Sequence, residues 1–215
     1  PRESADARAD RVAYARLALT PAPAGKKEMQ YEYSNSGYVV AGAMLEAQLG
    51  APWEKLMDHH VFAPLKMTGA GFGAPGTAGA YDQPVGHAGA RALQPFPPGS
   101  PVTDNPAVLG PAGRVHAPLD DLLRYLAAHA SRSPFLRKES WHKLHTPPSG
   151  GGYALGWQVQ GDKLWHNGSN TLWYCEMLAD RARGVASAAA ANDGRQNIAA
   201  VPVGKALAGA AEAVA

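Results

Sequence analysis

The sequence contains a single cysteine, Cys175, among its 215 residues. One cysteine excludes an internal disulfide framework and any zinc site built from cysteines, and it fits an oxidising or a reducing compartment equally well. The chain also lacks a run of about 18 apolar residues, which a membrane-spanning helix needs. It begins at Pro1, with no initiator methionine and no signal-peptide pattern, which we interpret as a processed or truncated edge.

Charge of either sign is sparse along the chain. The formal net charge is +2 and there is no basic stripe, so we expect no nucleic acid among its partners. Hydrophobic residues make up 46% of the sequence, which is enough to bury a core. The 24 glycines and 18 prolines are a high share and favour a domain with long ordered loops over a helical bundle.

Residues 1–150 mostly have the periodicity of helices. We predict helices from Asp6 to Leu19, from Ser36 to a Gly50 cap, from Pro52 to Pro64, from Pro118 onward, and from Phe135 to Leu144. In the second of these, the helical period is carried by Tyr38, Ala41, Leu45 and Leu49. Residues 69–116 have no sustained period and predict a long loop region, packed through Phe72, Tyr81, Leu93 and Phe96.

The last third of the chain has the alternation of strands. We predict strands over 153–160, 163–166, 173–178 and 184–191, followed by a closing helix from about Gln196. The order of elements predicts one α/β domain of the α+β type. In it, residues 1–150 form the helical and loop part, and residues 151–215 form the antiparallel strands and the closing helix.

Two short motifs stand beside these elements. Tyr33-Ser34-Asn35 comes immediately before the second helix, and His166-Asn167-Gly168-Ser169 closes a short strand. Simpler structural explanations remain open for both. Tyr33 could be a core tyrosine, Asn35 could be an N-cap, and Asn-Gly between apolar strands is typical of a hairpin turn.

Five segments, in one order, resemble motifs of the β-lactamase-like serine hydrolases. This family contains the class C β-lactamases, penicillin-binding D-Ala carboxypeptidases and related esterases. The five segments are the Tyr-x-Asn element with its helix (Tyr31 to Gly50), Pro64 to Thr68, Pro111 to Leu123, Tyr153 to Trp157, and His166-x-Gly168. The resemblance implies a β-lactamase/transpeptidase-like fold with an antiparallel sheet flanked by helices. It also implies hydrolysis of a β-lactam, a D-Ala peptide or an ester through an acyl-enzyme.

The resemblance implies roles for individual residues. Tyr33 matches the phenol that relays protons, a task that requires a pKa well below its usual value of about 10 and therefore neighbouring cations. Asn35 matches the amide that binds the substrate carbonyl. His166 would be the cationic residue near a substrate carboxylate, with a charge that switches near neutral pH. The backbone N–H of Ser169 would be an oxyanion-hole donor.

The sequence does not contain the family's nucleophile at the position where the resemblance implies it. The family uses a serine and a lysine three residues apart on one helical turn, and only Ser140-Trp141-His142-Lys143 has this spacing here. It follows the Tyr-x-Asn element, whereas the family places it before. We therefore expect the catalytic serine, its lysine and the strands before them in a missing N-terminal part, and we expect this chain alone to be inactive.

The expected partners follow from this arrangement. Gly168 and Asn170 would bind a small-molecule or peptide substrate, and the resemblance implies no cofactor and no metal. A sheet without its N-terminal strands exposes an edge, which we expect a missing N-terminal segment, a second copy or a swapped segment to cover. The resemblance suggests export, to the periplasm or outside the cell. The alternative function is a non-catalytic ligand-binding or scaffold protein that keeps the cleft.

The remaining histidines and the cysteine have structural interpretations. His142 and His145 lack a third metal ligand at useful spacing, so we interpret them as surface histidines, as we do His59 and His60. Cys175 falls inside a strand and is expected to be a small buried apolar side chain.

Overall fold

The structure is a computed structural model that describes residues 7–23, 25, 31–100, 102–148, 151–170 and 172–214. Its α-helices are α1 (Arg8–Ala18), α2 (Asn35–Leu49), α3 (Trp53–Met57), α4 (Gly110–Gly113), α5 (Leu119–Ser131), α6 (Lys138–His145) and α7 (Gln196–Ala213). Its strands are β1 (Gly71–Phe72), β2 (Gly86–Ala88), β3 (Gln94–Phe96), β4 (Val115–His116), β5 (Gln158–Gln160), β6 (Lys163–Ser169), β7 (Tyr174–Asp180) and β8 (Val185–Ala191). A π-helical turn, Asp58–Phe62, continues α3. The predicted start of the first helix, Asp6, lies outside the described residues.

An antiparallel sheet in the order β5-β6-β7-β8 lies between α5 and α7. On one face, Leu126 of α5 packs with Leu164 of β6 and Ala179 of β7. On the other face, Tyr174 of β7 packs against Val203 of α7. Because strand residues alternate between faces, β7 buries side chains in both layers. The predicted antiparallel sheet flanked by helices is confirmed.

β6 is longer than predicted and contains no turn at Asn167-Gly168. It pairs with β7 as far as Ser169, and Gly168 lies opposite Cys175. The tight hairpin turn that Asn-Gly favours needs a positive φ, and Gly168 is not among the residues that adopt one. Instead, Nδ2 of Asn167 donates a hydrogen bond across the sheet to the hydroxyl of Tyr174, at 3.0 Å. The hairpin-turn interpretation is therefore wrong.

The first predicted strand is mostly a tight loop, and only its end forms β5. Tyr153 makes an isolated bridge to Gln158, and the backbone N–H of Ala154 donates to the carbonyl of Trp157 at 2.8 Å. Gly156 has a φ of 88°, which allows the chain to double back. The apolar alternation in this segment therefore reflects a loop that buries Ala154 and Trp157.

Ser34 caps the N-terminus of α2. Its hydroxyl accepts a hydrogen bond from the backbone N–H of Gly37 at 3.0 Å, and Asn35 is the first residue of the helix. The interpretation of Asn35 as the N-cap is therefore wrong, and its side chain is available for another contact. At the other end, Gly50 adopts a left-handed conformation with a φ of 70°, which confirms the predicted C-terminal cap.

The buried face of α2 is not the one with the large apolar residues. The stripe of Tyr38, Ala41, Leu45 and Leu49 is exposed, and the buried residues are Val39, Gly42, Ala43 and Glu46. Small residues on the buried face allow close packing, since a Cβ on Gly42 would collide with the Pro111 ring of α4. The helical period is as predicted, but the face that packs is different.

A buried arginine explains this choice of face. Arg11 of α1 is fully buried, and its guanidinium donates to Glu46 at 2.7 and 3.0 Å and to Glu54 at 2.7 and 3.0 Å. It also donates to the carbonyl of Ala107 at 2.8 Å. Burial by itself would lower the pKa of Arg11, but its hydrogen bonds to Glu46 and Glu54 and the charges of these two carboxylates outweigh it, and the pKa is raised. This ion-pair network joins α1, α2 and α3.

The region between α3 and α5 contains short pairs of strands in place of one long loop. β1 pairs with β4, and β2 pairs with β3. Phe72 packs as predicted, with its ring 5.3 Å from Trp53 and 5.5 Å from Phe62. Tyr81 is 83% exposed, so the expectation that it packs this segment is wrong.

His145 is buried and is not a surface histidine. Its Nε2 lies 3.0 Å from Nδ1 of His129 in α5, and Trp141 packs beside both rings. The helical period of α6 places Trp141 and His145 on its inner face. His142, His59 and His60 are exposed, as expected.

Cys175 is only partly buried at the residue level, although its thiol is sufficiently desolvated to raise its pKa to about 11. No described helix combines the length and the apolar composition that a bilayer crossing requires.

Candidate active site

His166 lies on β6, between the buried core of the sheet and the end of the strand. Leu164 is fully buried opposite Ala179, and His166 lies two residues further on the same face, opposite Met177. β5 pairs with β6 only as far as Trp165. From His166 onward, β6 therefore extends past the end of β5.

Tyr153 contacts His166 directly. Its hydroxyl lies 3.0 Å from Nε2 of His166, and the two rings are nearly edge to face, with centroids 6.1 Å apart. The ring of Tyr31 packs on Tyr153 with centroids 4.5 Å apart. Tyr153 therefore connects the strand that carries His166 with the segment that leads into α2.

Tyr33 and Asn35 contact each other at the start of α2. The hydroxyl of Tyr33 donates to Oδ1 of Asn35 at 3.1 Å, and the Tyr33 side chain is 60% exposed. The phenols of Tyr38, Tyr31 and Tyr33 all act on Tyr153, and together with burial, the largest cause, they raise its pKa. Tyr33 therefore lies close enough to act on the same tyrosine that contacts His166.

The electrostatics of this group differ from expectation. The hydroxyl of Tyr33 contacts an amide, that of Asn35, and the phenol of Tyr33 contributes to the raised pKa values of Tyr31, Tyr38 and Tyr153. Burial lowers the pKa of His166, opposed by a hydrogen bond to the backbone of Asn167. The neutral ring is therefore favoured relative to an ordinary histidine, and the protonation expected near neutral pH moves towards lower pH.

The end of β6 presents backbone to solvent. Gly168 and Ser169 are exposed, and a Cβ on Gly168 would meet no atom within 4 Å. Ser169 pairs with Tyr174 in the β6–β7 ladder. There is therefore open space beside Gly168 for a ligand.

Asn170 has a structural task. Its Oδ1 accepts from the backbone N–H groups of Leu172 and Trp173 at 3.3 and 3.2 Å, and its Nδ2 donates to Asp104 at 2.8 Å. Asp104 also lies 3.8 Å from the guanidinium of Arg114. The side chain of Asn170 thus holds the turn after β6 against the loop before α4.

Ser140 belongs to a different part of the molecule. It lies in α6, next to Trp141, whose Nε1 donates to the carbonyl of Ser133 at 2.8 Å and whose ring packs on His129. Among the described residues, no hydrogen bond or ring contact joins Ser140 to Tyr33 or His166. The Ser-x-x-Lys spacing therefore falls in a helix that packs through Trp141.

The sequence did not indicate Tyr31, Tyr38 or Tyr153 as site residues. Tyr153 was predicted as one of the inward residues of a strand, and Tyr38 as part of the α2 period. The available signal was that Tyr153 and Tyr31 fall inside segments that resemble family motifs. No cluster of three or more His, Cys, Asp or Glu residues suited to a metal ion occurs in the described part of the chain.

Sequence comparison agrees with this arrangement. A family model, Beta-lactamase, matches residues 1–210. The chain belongs to the beta-lactamase family. None of the curated protein sequences matches it.

Solved structures with the beta-lactamase-family fold are similar to this chain. An octameric penicillin-binding protein homologue from Pyrococcus abyssi has a TM-score of 0.70 and 21% identity, over 86% of this chain and 44% of that chain. A D-stereospecific amidohydrolase from Streptomyces sp. has a TM-score of 0.61 and 18% identity, over 85% and 58%. A D-amino acid amidase from Ochrobactrum anthropi SV3 has a TM-score of 0.64 and 19% identity, over 86% and 58%. The chain spans about half the length of these structures.

Proposed function

We propose that this chain is the C-terminal part of a serine hydrolase that acts through an acyl-enzyme on a β-lactam, a D-Ala peptide or an ester. The observation that carries the proposal is the contact between Tyr153 and His166 at 3.0 Å. Together with the packing of Tyr31 on Tyr153, at 4.5 Å between ring centroids, this contact connects the strand that carries His166 with the segment that carries Tyr33 and Asn35. These are the groups that acyl transfer would use. The nucleophile would come from residues outside this chain.

The proposed roles match the chemistry of each group. The exposed phenol of Tyr33 would relay protons to and from the nucleophile, and the amide of Asn35, which accepts from Tyr33 at 3.1 Å, would bind the acyl carbonyl group. The backbone N–H of Ser169 would stabilise the oxyanion, and the open space at Gly168 would admit the substrate. His166 would offer a hydrogen bond to the substrate. Asn170 would contribute by holding the turn after Ser169 in place.

Acylation of the full-length protein tests the proposal. A fluorescent penicillin or a fluorescent phosphonate should label it. A D-amino acid amide should be included among the substrates, because one similar structure is named a D-amino acid amidase and another a D-stereospecific amidohydrolase. Tyr33→Phe should slow labelling by about a hundredfold or more, the range for loss of an acid–base group. Tyr81→Phe is the matched control, since Tyr81 is 83% exposed.

Two outcomes would contradict the proposal. Labelling of residues 1–215 alone, abolished by Ser140→Ala, would place the nucleophile in α6. A full-length protein that binds the probes reversibly and is never acylated would favour the alternative, a non-catalytic ligand-binding or scaffold protein with this fold.

A further inference from the structure

We propose that Tyr174 and Glu176 are positioning residues for the end of β6. A chain of hydrogen bonds that runs from Asn167 through Tyr174 to Glu176 holds Asn167 in place. The backbone of Gly168 and Ser169, which follows directly, is thereby fixed beside the substrate. The consequence for catalysis rests on the proposed function, but the order of the strand end is a property of the resting protein and is measured without a substrate.

The end of β6 is held by few contacts other than those of its own side chains. β5 pairs with β6 only as far as Trp165, so within the described sheet residues 166–169 have a strand, β7, on one side only. Gly168 has no side chain to pack, and Ser169 is exposed. Strand ends of this kind open locally with little cost in free energy. The stretch is therefore secured by His166, which contacts Tyr153 on one face, and by Asn167 on the other.

Asn167 is held from the face of the sheet that α7 covers. Because strand residues alternate, its side chain lies on the face opposite His166, together with Tyr174 and Glu176 of β7. Nδ2 of Asn167 donates to the hydroxyl of Tyr174 at 3.0 Å, and this hydroxyl donates to Oε1 of Glu176 at 2.8 Å. Nε1 of Trp165 donates to Oε2 of Glu176 at 3.3 Å. The chain thus joins the end of β6 to β7 and returns to β6 at Trp165.

The number of protons in the chain fits this direction. An amide nitrogen and an indole nitrogen can only donate, and a phenol has a single proton. If Oδ1 of Asn167 faced Tyr174 in place of Nδ2, that one proton would have to serve both Asn167 and the carboxylate of Glu176. With Nδ2 there, each donor has its own acceptor and both oxygens of Glu176 accept. The orientation of the Tyr174 hydroxyl therefore depends on Glu176.

Burial keeps the chain intact. Tyr174 is 2% exposed and Glu176 is 7% exposed, and a buried polar group that loses its hydrogen-bond partner is strongly destabilising. Tyr174 packs with Val203 of α7, and Gly204 of the same helix lies beside the carboxylate, since a Cβ there would be 3.6 Å from Oε2. α7 thus fixes the position of both acceptors, and Asn167 transmits that position to the strand end.

Backbone amide exchange in the full-length protein, measured residue by residue by nuclear magnetic resonance, tests the inference. In Tyr174→Phe and in Glu176→Gln, the protected amides of residues 166–169 should exchange about tenfold faster relative to those of residues 163–165, the scale of one ordinary hydrogen bond. Residues 163–165 are the internal reference because β5 and β7 pair with them on both sides.

Ser187→Ala is the matched control. The hydroxyl of Ser187 donates to the carbonyl of Leu207 at 2.9 Å, so this variant also removes a buried hydrogen bond between the sheet and α7. It does not touch the chain and should leave the ratio of exchange rates unchanged. Asn167→Ala is a second test that disturbs the core less, because Asn167 is only half-buried, and it should raise the ratio as Tyr174→Phe does.

Kinetics show whether the strand end matters for the reaction. If the protein hydrolyses esters, Tyr174→Phe should lower kcat by about tenfold to a hundredfold and change KM by less than about threefold, because a misplaced strand end weakens contacts made in the transition state. A higher KM with an unchanged kcat would overturn this consequence.

The outcomes separate this inference from the proposed function. An unchanged exchange ratio in Tyr174→Phe and Asn167→Ala would overturn the positioning role. An equal change in Ser187→Ala would overturn it as well, since the loss of any buried hydrogen bond would then loosen the strand end. An inactive protein in which the ratio changes as expected would contradict the proposed function and support the positioning role.

Discussion

The sheet region, formed by β5–β8 with α5 and α7, is held together mainly by apolar contacts, whereas the helical region of α1–α3 is held by charge. In the sheet region, the fully buried side chains include Leu126 and Leu164. In the helical region, the largest fully buried side chain is Arg11, paired with Glu46 and Glu54. The sheet region is therefore stabilised by a regular apolar pattern, whereas the helical region depends on polar contacts between residues far apart in the sequence.

The largest expected effect comes from breaking the ion-pair network. Arg11→Met should lower the free energy of unfolding by about 3 to 5 kcal/mol, because it leaves the buried carboxylate of Glu46 without its partner. Chemical denaturation followed by circular dichroism would measure it. Arg16→Met, an exposed arginine on the same helix, is the matched control and should change stability by less than about 0.5 kcal/mol. A small effect of Arg11→Met would show that α1–α3 does not depend on charge.

The corresponding change in the sheet region removes an apolar side chain. Leu164→Ala should lower the free energy of unfolding by about 2 to 5 kcal/mol, because the side chain is fully buried between α5 and β7. Leu155→Ala, at a leucine that is 47% exposed, is the control. Equal losses in the two variants would mean that the sheet region is not packed as described.

The sheet region also contains a buried pair of histidines, His129 and His145, which should make its stability depend on pH. Burial and the charge of its partner lower the pKa of His129 to about 3, and burial with Arg181 and Arg132 lowers the pKa of His145 to about 4. Nδ1 of His145 also finds no hydrogen-bond partner among the residues that the structure describes.

In the unfolded chain both histidines take up protons near pH 6.5, so between pH 6.5 and about 4 the unfolded state binds more protons. Stability should therefore fall as the pH falls through this window, by on the order of 1 kcal/mol per pH unit for each histidine. Thermal unfolding from pH 7 to pH 4 would measure the slope. His145→Gln should flatten it, whereas the exposed His142→Gln should leave it as in the wild type. An equal slope in both variants would exclude the pair as its source.

The smallest effect is expected on the open face of α2. Leu45→Gln should change the stability of this chain by less than about 0.5 kcal/mol, since Leu45 is 47% exposed. Val39→Ala, on the buried face of the same helix, should cost more than about 1 kcal/mol through its lost methyl groups. Denaturation of the two variants side by side compares the faces directly. A larger loss at Leu45 would show that the apolar stripe of α2 is covered.

The sequence alone predicted the helices other than α4, three strands of the sheet with the end of the fourth, and the family. Periodicity and caps arise between residues close in the chain, as at Ser34 with Gly37 and at Gly50, so a local pattern carries them. The motifs of Tyr33, Asn35 and His166 also stand in the sequence, and in the structure Tyr33 acts on the same tyrosine that contacts His166.

Only the tertiary structure decided which side chains meet. Arg11 reaches Glu46 across 35 positions, His129 reaches His145 across 16, and Tyr153 reaches His166 across 13. A local pattern does not contain such contacts, because the energy of burying a polar group depends on the partner that packing brings to it. For this reason the period of α2 was predictable and its buried face was not, and neither was the burial that lowers the pKa of His166.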